Sequence, residues 1–162
     1  MFDLKKVVVG PKTLSYLVEV EEKYPLYTSD DIESTNRVYQ LIPEIADHVC
    51  VNENGKSFQD CMGHTETAHL LEHVTIELLA RTARVSKAFG ITKKSDEDPS
   101  GRSFETSLNC EDDTLTMAAL SSAIWLMNWA FSGGRGATPN VEATTRGLSD
   151  LIDRIDHVPA RR

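Results

Sequence analysis

His69, Glu72 and His73 spell H-x-x-E-H, the pattern in this sequence with the most direct chemical reading. On an α-helix, residues four apart project from one face, one turn apart. Two imidazoles so placed can both reach one zinc ion, and Glu72 sits within the same turn. A zinc ion polarises a carbonyl and brings the pKa of a water it holds towards neutrality, while a neighbouring carboxylate takes the proton as that water attacks. The spacing points to metal-assisted hydrolysis, with His69 and His73 as ligands and Glu72 as the general base. This order of residues is the inverted form of the zinc-protease signature.

A catalytic zinc also needs a third protein ligand and an open position for water. One helix face cannot surround an ion, so the third ligand is expected from another element. Glu142, at the start of the last expected helix, ranks first. Glu111, directly after Cys110, ranks second, and Glu77, one turn beyond His73, ranks third. Each also has an ordinary role. Glu142 suits a helix start by its charge, Glu111 precedes a helix cap, and Glu77 can orient a histidine as an acceptor. Cys110 is a softer alternative ligand. His64 lies just before the motif helix, where it can meet substrate or solvent.

The elements that must position these residues are legible in outline. Thr65 to about Arg84 is predicted as the strongest helix, with Leu70, Leu71, Val74, Leu78 and Leu79 apolar. Lys5 to Val9 reads as a strand ended by Gly10-Pro11, and Leu14, Leu17 and Val18 have the spacing of a following helix. Val38, Leu41, Ile42 and Ile45 predict another helix, broken or kinked at Pro43. His48 to Val51 reads as a strand closed by a turn at Asn52-Glu53-Asn54-Gly55. The polar stretch Lys93 to Gly101 reads as a mobile loop, and Phe104, Thr106 and Leu108 as a half-buried strand. Asp112 or Asp113 can cap a further helix ended by Gly133-Gly134. Thr138-Pro139 can start the last one, running to about Ile155. The order lacks a βαβ rhythm and a glycine-rich phosphate loop. The expected fold class is α+β, with helices packed on a small antiparallel sheet in a single layered domain spanning residues 1–162.

Bulk properties narrow the function classes. A chain of 162 residues is long enough to bury one core. Its net charge of −8 and the lack of a basic run argue against nucleic-acid binding. Cys50, Cys61 and Cys110 form no C-x-x-C pair, and their odd count does not resemble a disulfide framework. The N-terminal apolar run is too short for a signal peptide. The stretch from Leu115 to Phe131 carries Thr116, Ser121, Ser122 and Asn128, and reads as a buried helix rather than a membrane span. A cytoplasmic location without membrane association is expected.

The run from Thr65 to Leu78, T-E-T-A-H-L-L-E-H-V-T-I-E-L, resembles the GT-x-x-GH-x-x-EHVALEL segment of cyanophycin synthetase N-terminal domains. Ile42 to Cys50 is similar to that family's LP-x-L-x-x-H-x-C stretch, Gly10-Pro11 to part of its GPN entry, and Phe89 to Lys93 to its GFG(R/K)TR. Met117-Ala118-Ala119-Leu120 falls where the family has YAGRAA. The likeness runs from about residue 5 to 150, with its identity concentrated in the central helix. Departures are Ala68 in place of the glycine before the first histidine, Asn54-Gly55-Lys56-Ser57-Phe58 in place of a glycine-rich stretch, and Thr92-Lys93-Lys94 in place of the arginines.

The resemblance implies a zinc site of the inverted zincin type that clips an Asp–Arg polymer, with His69 and His73 as ligands and Glu72 as base. The ATP-grasp and Mur-ligase-like domains of the full synthetase do not fit within this length. Two function classes follow. One is a zinc-dependent hydrolase acting on an Asp–Arg or related peptide-type polymer. The other is a non-catalytic module that docks on a separate ligase protein or on its own copies as a homo-oligomer. For the second, the helix from Ala118 to Phe131, with Trp125, Met127 and Trp129, offers an apolar face that is also suited to a core.

Overall fold

A computed structural model describes residues 1–50 and 56–157. The chain opens with β1 (Phe2–Val9) and β2 (Thr13–Val20), an antiparallel hairpin closed where the Gly10 N–H donates to the Thr13 carbonyl at 2.7 Å. The helix expected across Leu14, Leu17 and Val18 is therefore a strand. Leu14, Tyr16, Val18 and Val20 alternate inward and are all buried, a period of two rather than 3.6. Several residues of the segment are β-branched or aromatic, and it pairs along both edges, with β1 and with β6 (Ser103–Asn109). Partners distant in sequence override the local helical spacing.

The main sheet has the order β1-β2-β6-β5, with β5 at Gly90–Lys94 and every pairing antiparallel. Lys93 and Lys94, expected in a mobile loop, are strand residues opposite Glu105 and Phe104. The turn that follows is tied by Asp98, whose carboxylate accepts from the backbone N–H groups of Ser100 at 2.8 Å and Ser103 at 2.8 Å. These bonds hold the Asp98 carboxyl well below the usual carboxylate range.

α1 (Ile32–Leu41) is capped by Asp31, which accepts from the Ser34 N–H. It stops before Pro43, and a 3-10 turn at Pro43–Asp47 carries the chain on. β3 (Val49–Cys50) then pairs antiparallel with β4 (Lys56–Ser57). The rest of the expected strand, Val51, and the expected turn from Asn52 to Gly55 lie outside the described residues.

α2 (Thr67–Arg81) is the motif helix. α3 (Asp113–Phe131) is capped by Asp112 and followed by Gly133 and Gly134, both at positive φ, where glycine avoids the penalty of a Cβ. α4 (Val141–Asp156) begins later than expected, because the Asn140 side chain rather than Thr138 accepts from the Ala143 N–H. Pro139 thus precedes the cap.

α2 lies against β5 and β2 on one side and against α3 on another, while α1 and α4 pack on α3. One continuous core runs through these layers, from Leu14, Val18 and Phe104 on the sheet through Leu70, Leu71 and Leu78 to Leu120, Ala123 and Met127. The molecule is an α+β domain of four helices and a small antiparallel sheet. α3 turns the apolar face considered for docking into this core, leaving Trp125 as its exposed large side chain. Among the described residues, no helix is long and apolar enough to cross a membrane.

Candidate metal centre

Every residue of α2 from Thr67 to Leu79 is buried, including His69, Glu72, His73 and Glu77. A helix enclosed on all sides places its polar side chains inside the protein, where each needs a partner to offset its lost hydration. The partners come from two elements on different flanks of the helix.

On one flank, the β3–β4 pair crosses the N-terminal half of α2. His48 and Cys50 are two residues apart in extended backbone, so both side chains turn to the helix, while Val49 between them is exposed. Cys50 Sγ lies 3.3 Å from His69 Nε2, and His69 Nε2 lies 3.2 Å from His73 Nε2. The three ligand atoms fall within 4.8 Å of one another, and this is the one such trio of His, Cys, Asp or Glu among the described residues. Phe58, directly after β4, stacks on the His73 ring at 3.9 Å between centroids and meets the His69 ring edge-on at 5.3 Å. Thr65 Oγ1 lies 2.8 Å from His69 Nδ1. With the Nδ1 proton donated to that hydroxyl, the Nε2 lone pair faces Cys50 and His73.

Behind His73 stands a further set of side chains. His48 Nδ1 is 3.1 Å from His73 Nδ1, and His48 Nε2 is 2.8 Å from Glu77 Oε2. Glu77 also accepts from Arg81 Nε at 2.7 Å, and Arg81 pairs onward with Glu44. Burial pushes the Glu77 carboxyl up, but the bonds from His48 and Arg81 outweigh it and hold it below its ordinary value. Burial lowers the His73 pKa to about 2, with His69 and His48 adding to the effect, so its imidazole is neutral and able to ligate.

On the other flank, Glu72 faces the sheet. Thr92 Oγ1 donates to Glu72 Oε2 at 2.5 Å and lies 2.8 Å from Thr106 Oγ1. Thr92, Thr106 and Tyr16 stand opposite one another on β5, β6 and β2, so the register lays a buried polar row under the carboxylate. Gly90 makes room beside it, since a Cβ there would sit 3.0 Å from Glu72 Cγ and 2.6 Å from Leu108 Cδ2. Burial raises the Glu72 pKa to about 7, against the opposing effects of Thr92 and His48. An open cavity of about 460 Å³ is lined by Glu72, His73, His48, Ile76, Lys87 and Phe89.

The fit to zinc rests on donor chemistry and spacing. A thiolate and two imidazoles are ligands zinc takes, and in a tetrahedral site such atoms lie about 3.3–3.6 Å apart. The two close separations here, 3.3 and 3.2 Å, lie at and just below the short end of that range, and the third lies within 4.8 Å.

The acids ranked from sequence as third ligand lie elsewhere. Glu142 is exposed on the first turn of α4 and borders a surface groove with Glu44, Arg81 and Arg146. Glu111 accepts from the Ser86 N–H at 3.0 Å and from its hydroxyl. Glu77 is bound to His48 and Arg81. Cys110 contacts Thr116, and exposed His64 stacks on Tyr27 with its Nδ1 2.8 Å from Ser29 Oγ. Sequence reasoning did not assign Cys50 or His48 to the site. The available signal was the H-x-C spacing of the two on an expected strand.

A four-stranded antiparallel sheet and a short β-pair about an enclosed helix define an α+β domain. Residues 16–130 match the family of the cyanophycin synthase-like N-terminal domain, and the protein belongs to that family. The matched segment contains Cys50, His69, Glu72, His73 and Glu77, whereas α4 with Glu142 lies beyond it. No curated protein matches the chain.

Proposed function

We propose that this domain is a zinc-dependent hydrolase of amide bonds in a peptide-type polymer, of the Asp–Arg kind or chemically related to it. The observation that carries the reading is the convergence of Cys50 Sγ, His69 Nε2 and His73 Nε2, with His73 and Glu72 both lining one open cavity. Cys50, His69 and His73 would hold the ion, with Cys50 in the place first given to Glu142. When bound, zinc supplies Lewis-acid polarisation of the substrate carbonyl and a more acidic water. Glu72 takes the proton of the attacking water and returns it to the leaving nitrogen. Its raised pKa suits both transfers near neutral pH. Thr92 and Gly90 fix where its carboxylate sits. Ile76, Ala88 and Phe89 provide apolar walls that limit water in the cavity, and Lys87 places one cation on its lining.

Two measurements test this together. Protein purified from zinc-supplemented medium should hold about one zinc per chain by elemental analysis, and it should release dipeptides or shorter chains from a soluble Asp–Arg polymer. Metal-free protein with an intact fold would sink the proposal.

A further inference from the structure

His48 is a partner of the centre that the H-x-x-E-H pattern does not contain. We propose that His48, itself set by Glu77, is a positioning residue that fixes the tautomer and ring orientation of His73. The inference rests on the zinc reading only for its consequence, metal affinity, since the hydrogen-bond chain is a property of the protein alone.

An ionised carboxylate only accepts, so the 2.8 Å contact between Glu77 Oε2 and His48 Nε2 places a hydrogen on His48 Nε2. Glu77 stays ionised because it also accepts from Arg81, which pairs on to Glu44. In a neutral imidazole carrying that hydrogen, Nδ1 is an acceptor. Against a neutral His48, His73 Nδ1, 3.1 Å away, is then the donor. A hydrogen on His73 Nδ1 leaves the lone pair on its Nε2, the atom that faces His69 Nε2.

Glu77 thus determines one tautomer and His48 passes the choice on, so the nitrogen presented to the trio is the one able to ligate. His69 has a single hydroxyl, Thr65 Oγ1, at its Nδ1, a group that can accept or donate. Phe58, stacked on His73, restrains the plane of the ring, and the His48 bond restrains its rotation within that plane. Groups that orient a ligating histidine in this way typically change metal affinity 10- to 100-fold when removed.

The experiment uses the full chain in two states. In metal-free protein, nitrogen-15 NMR of the imidazoles should show His73 protonated on Nδ1 and His48 on Nε2. His73 carrying its proton on Nε2 would overturn the inference whatever zinc does. Zinc titration against a competing chelator then reads the consequence. His48→Ala should weaken zinc binding by about 10- to 100-fold while keeping one site per chain. Cobalt-loaded His48→Ala should retain the thiolate charge-transfer absorption of Cys50, showing that the ligand set is unchanged.

His48→Asn retains an acceptor near the position of Nδ1, so it should recover part of the affinity, and it carries the test if the alanine variant does not fold. Wild-type affinity in both variants overturns the inference. So does complete loss of the site at saturating zinc in a folded variant, which would make His48 a ligand. Failure of the wild-type chain to bind zinc would instead sink the proposed function, while the NMR tautomers still decide the role of His48.

Discussion

The two flanks of α2 use the same helix for different chemistry. The flank under the β3–β4 pair gathers Cys50, His69 and His73, whose nitrogen and sulfur atoms approach to 3.2–3.3 Å. Contacts this short between such atoms need a hydrogen or a cation between them, and a thiol or imidazole hydrogen meets that need as an ion would. The flank facing β5 holds one carboxylate, Glu72, which accepts from the Thr92 hydroxyl, itself paired with Thr106. Burial makes this acid keep its proton to higher pH, and the bond from Thr92 opposes that only in part. On the proposed function, the contrast separates binding from proton transfer although Glu72 and His73 are adjacent in sequence.

Substitutions that treat the flanks separately should give separable losses. The largest effect is expected from His73→Ala, which removes a nitrogen of the trio and should take zinc content from about one per chain to none by elemental analysis. Glu72→Gln keeps the side-chain shape and should leave zinc content unchanged, while polymer hydrolysis falls by about 10²–10⁴-fold, as for loss of a general base. A parallel loss of metal in that variant would merge the flanks and end the comparison.

Gly90→Ala drives a methyl against Leu108 and Glu72, and should destabilise the fold by about 1–3 kcal/mol in urea denaturation with zinc stoichiometry kept. Thr92→Val removes the donor to Glu72 and should cost about 1 kcal/mol. The smallest change is expected from Glu142→Gln. It should leave zinc affinity and stability within about 0.5 kcal/mol of wild type, because that carboxylate is exposed on α4. Loss of zinc in this variant would return Glu142 to the ligand set.

The legibility of the sequence varied with the range of the interactions. Capping at Asp112, the break at Pro43 and the motif helix are local effects of side chains on their own backbone, and all three are present. β2 carries helical spacing at Leu14, Leu17 and Val18 beside the period of two at Leu14, Tyr16, Val18 and Val20, and the pairing with β6 that favours the second depends on residues some ninety positions away. Lys93 and Lys94 read as loop residues by polarity, yet β5 needs only one buried face, supplied by Gly90 and Thr92. The ranked third ligands are the acids Glu142, Glu111 and Glu77, with Cys110 as the softer alternative. Cys50 is brought to His69 by a short β-pair whose placement no local pattern encodes.

By itself, then, the sequence determined that two histidines and a glutamate share consecutive turns of one buried helix, since helical geometry needs only spacing and an apolar environment. The tertiary structure decided what each of them meets: the segment carrying His48 and Cys50 on one flank and the hydroxyl row of the sheet on the other. The reason is physical. Contacts within a helix follow from positions three or four residues apart, whereas contacts between elements follow from how the whole chain buries its apolar surface.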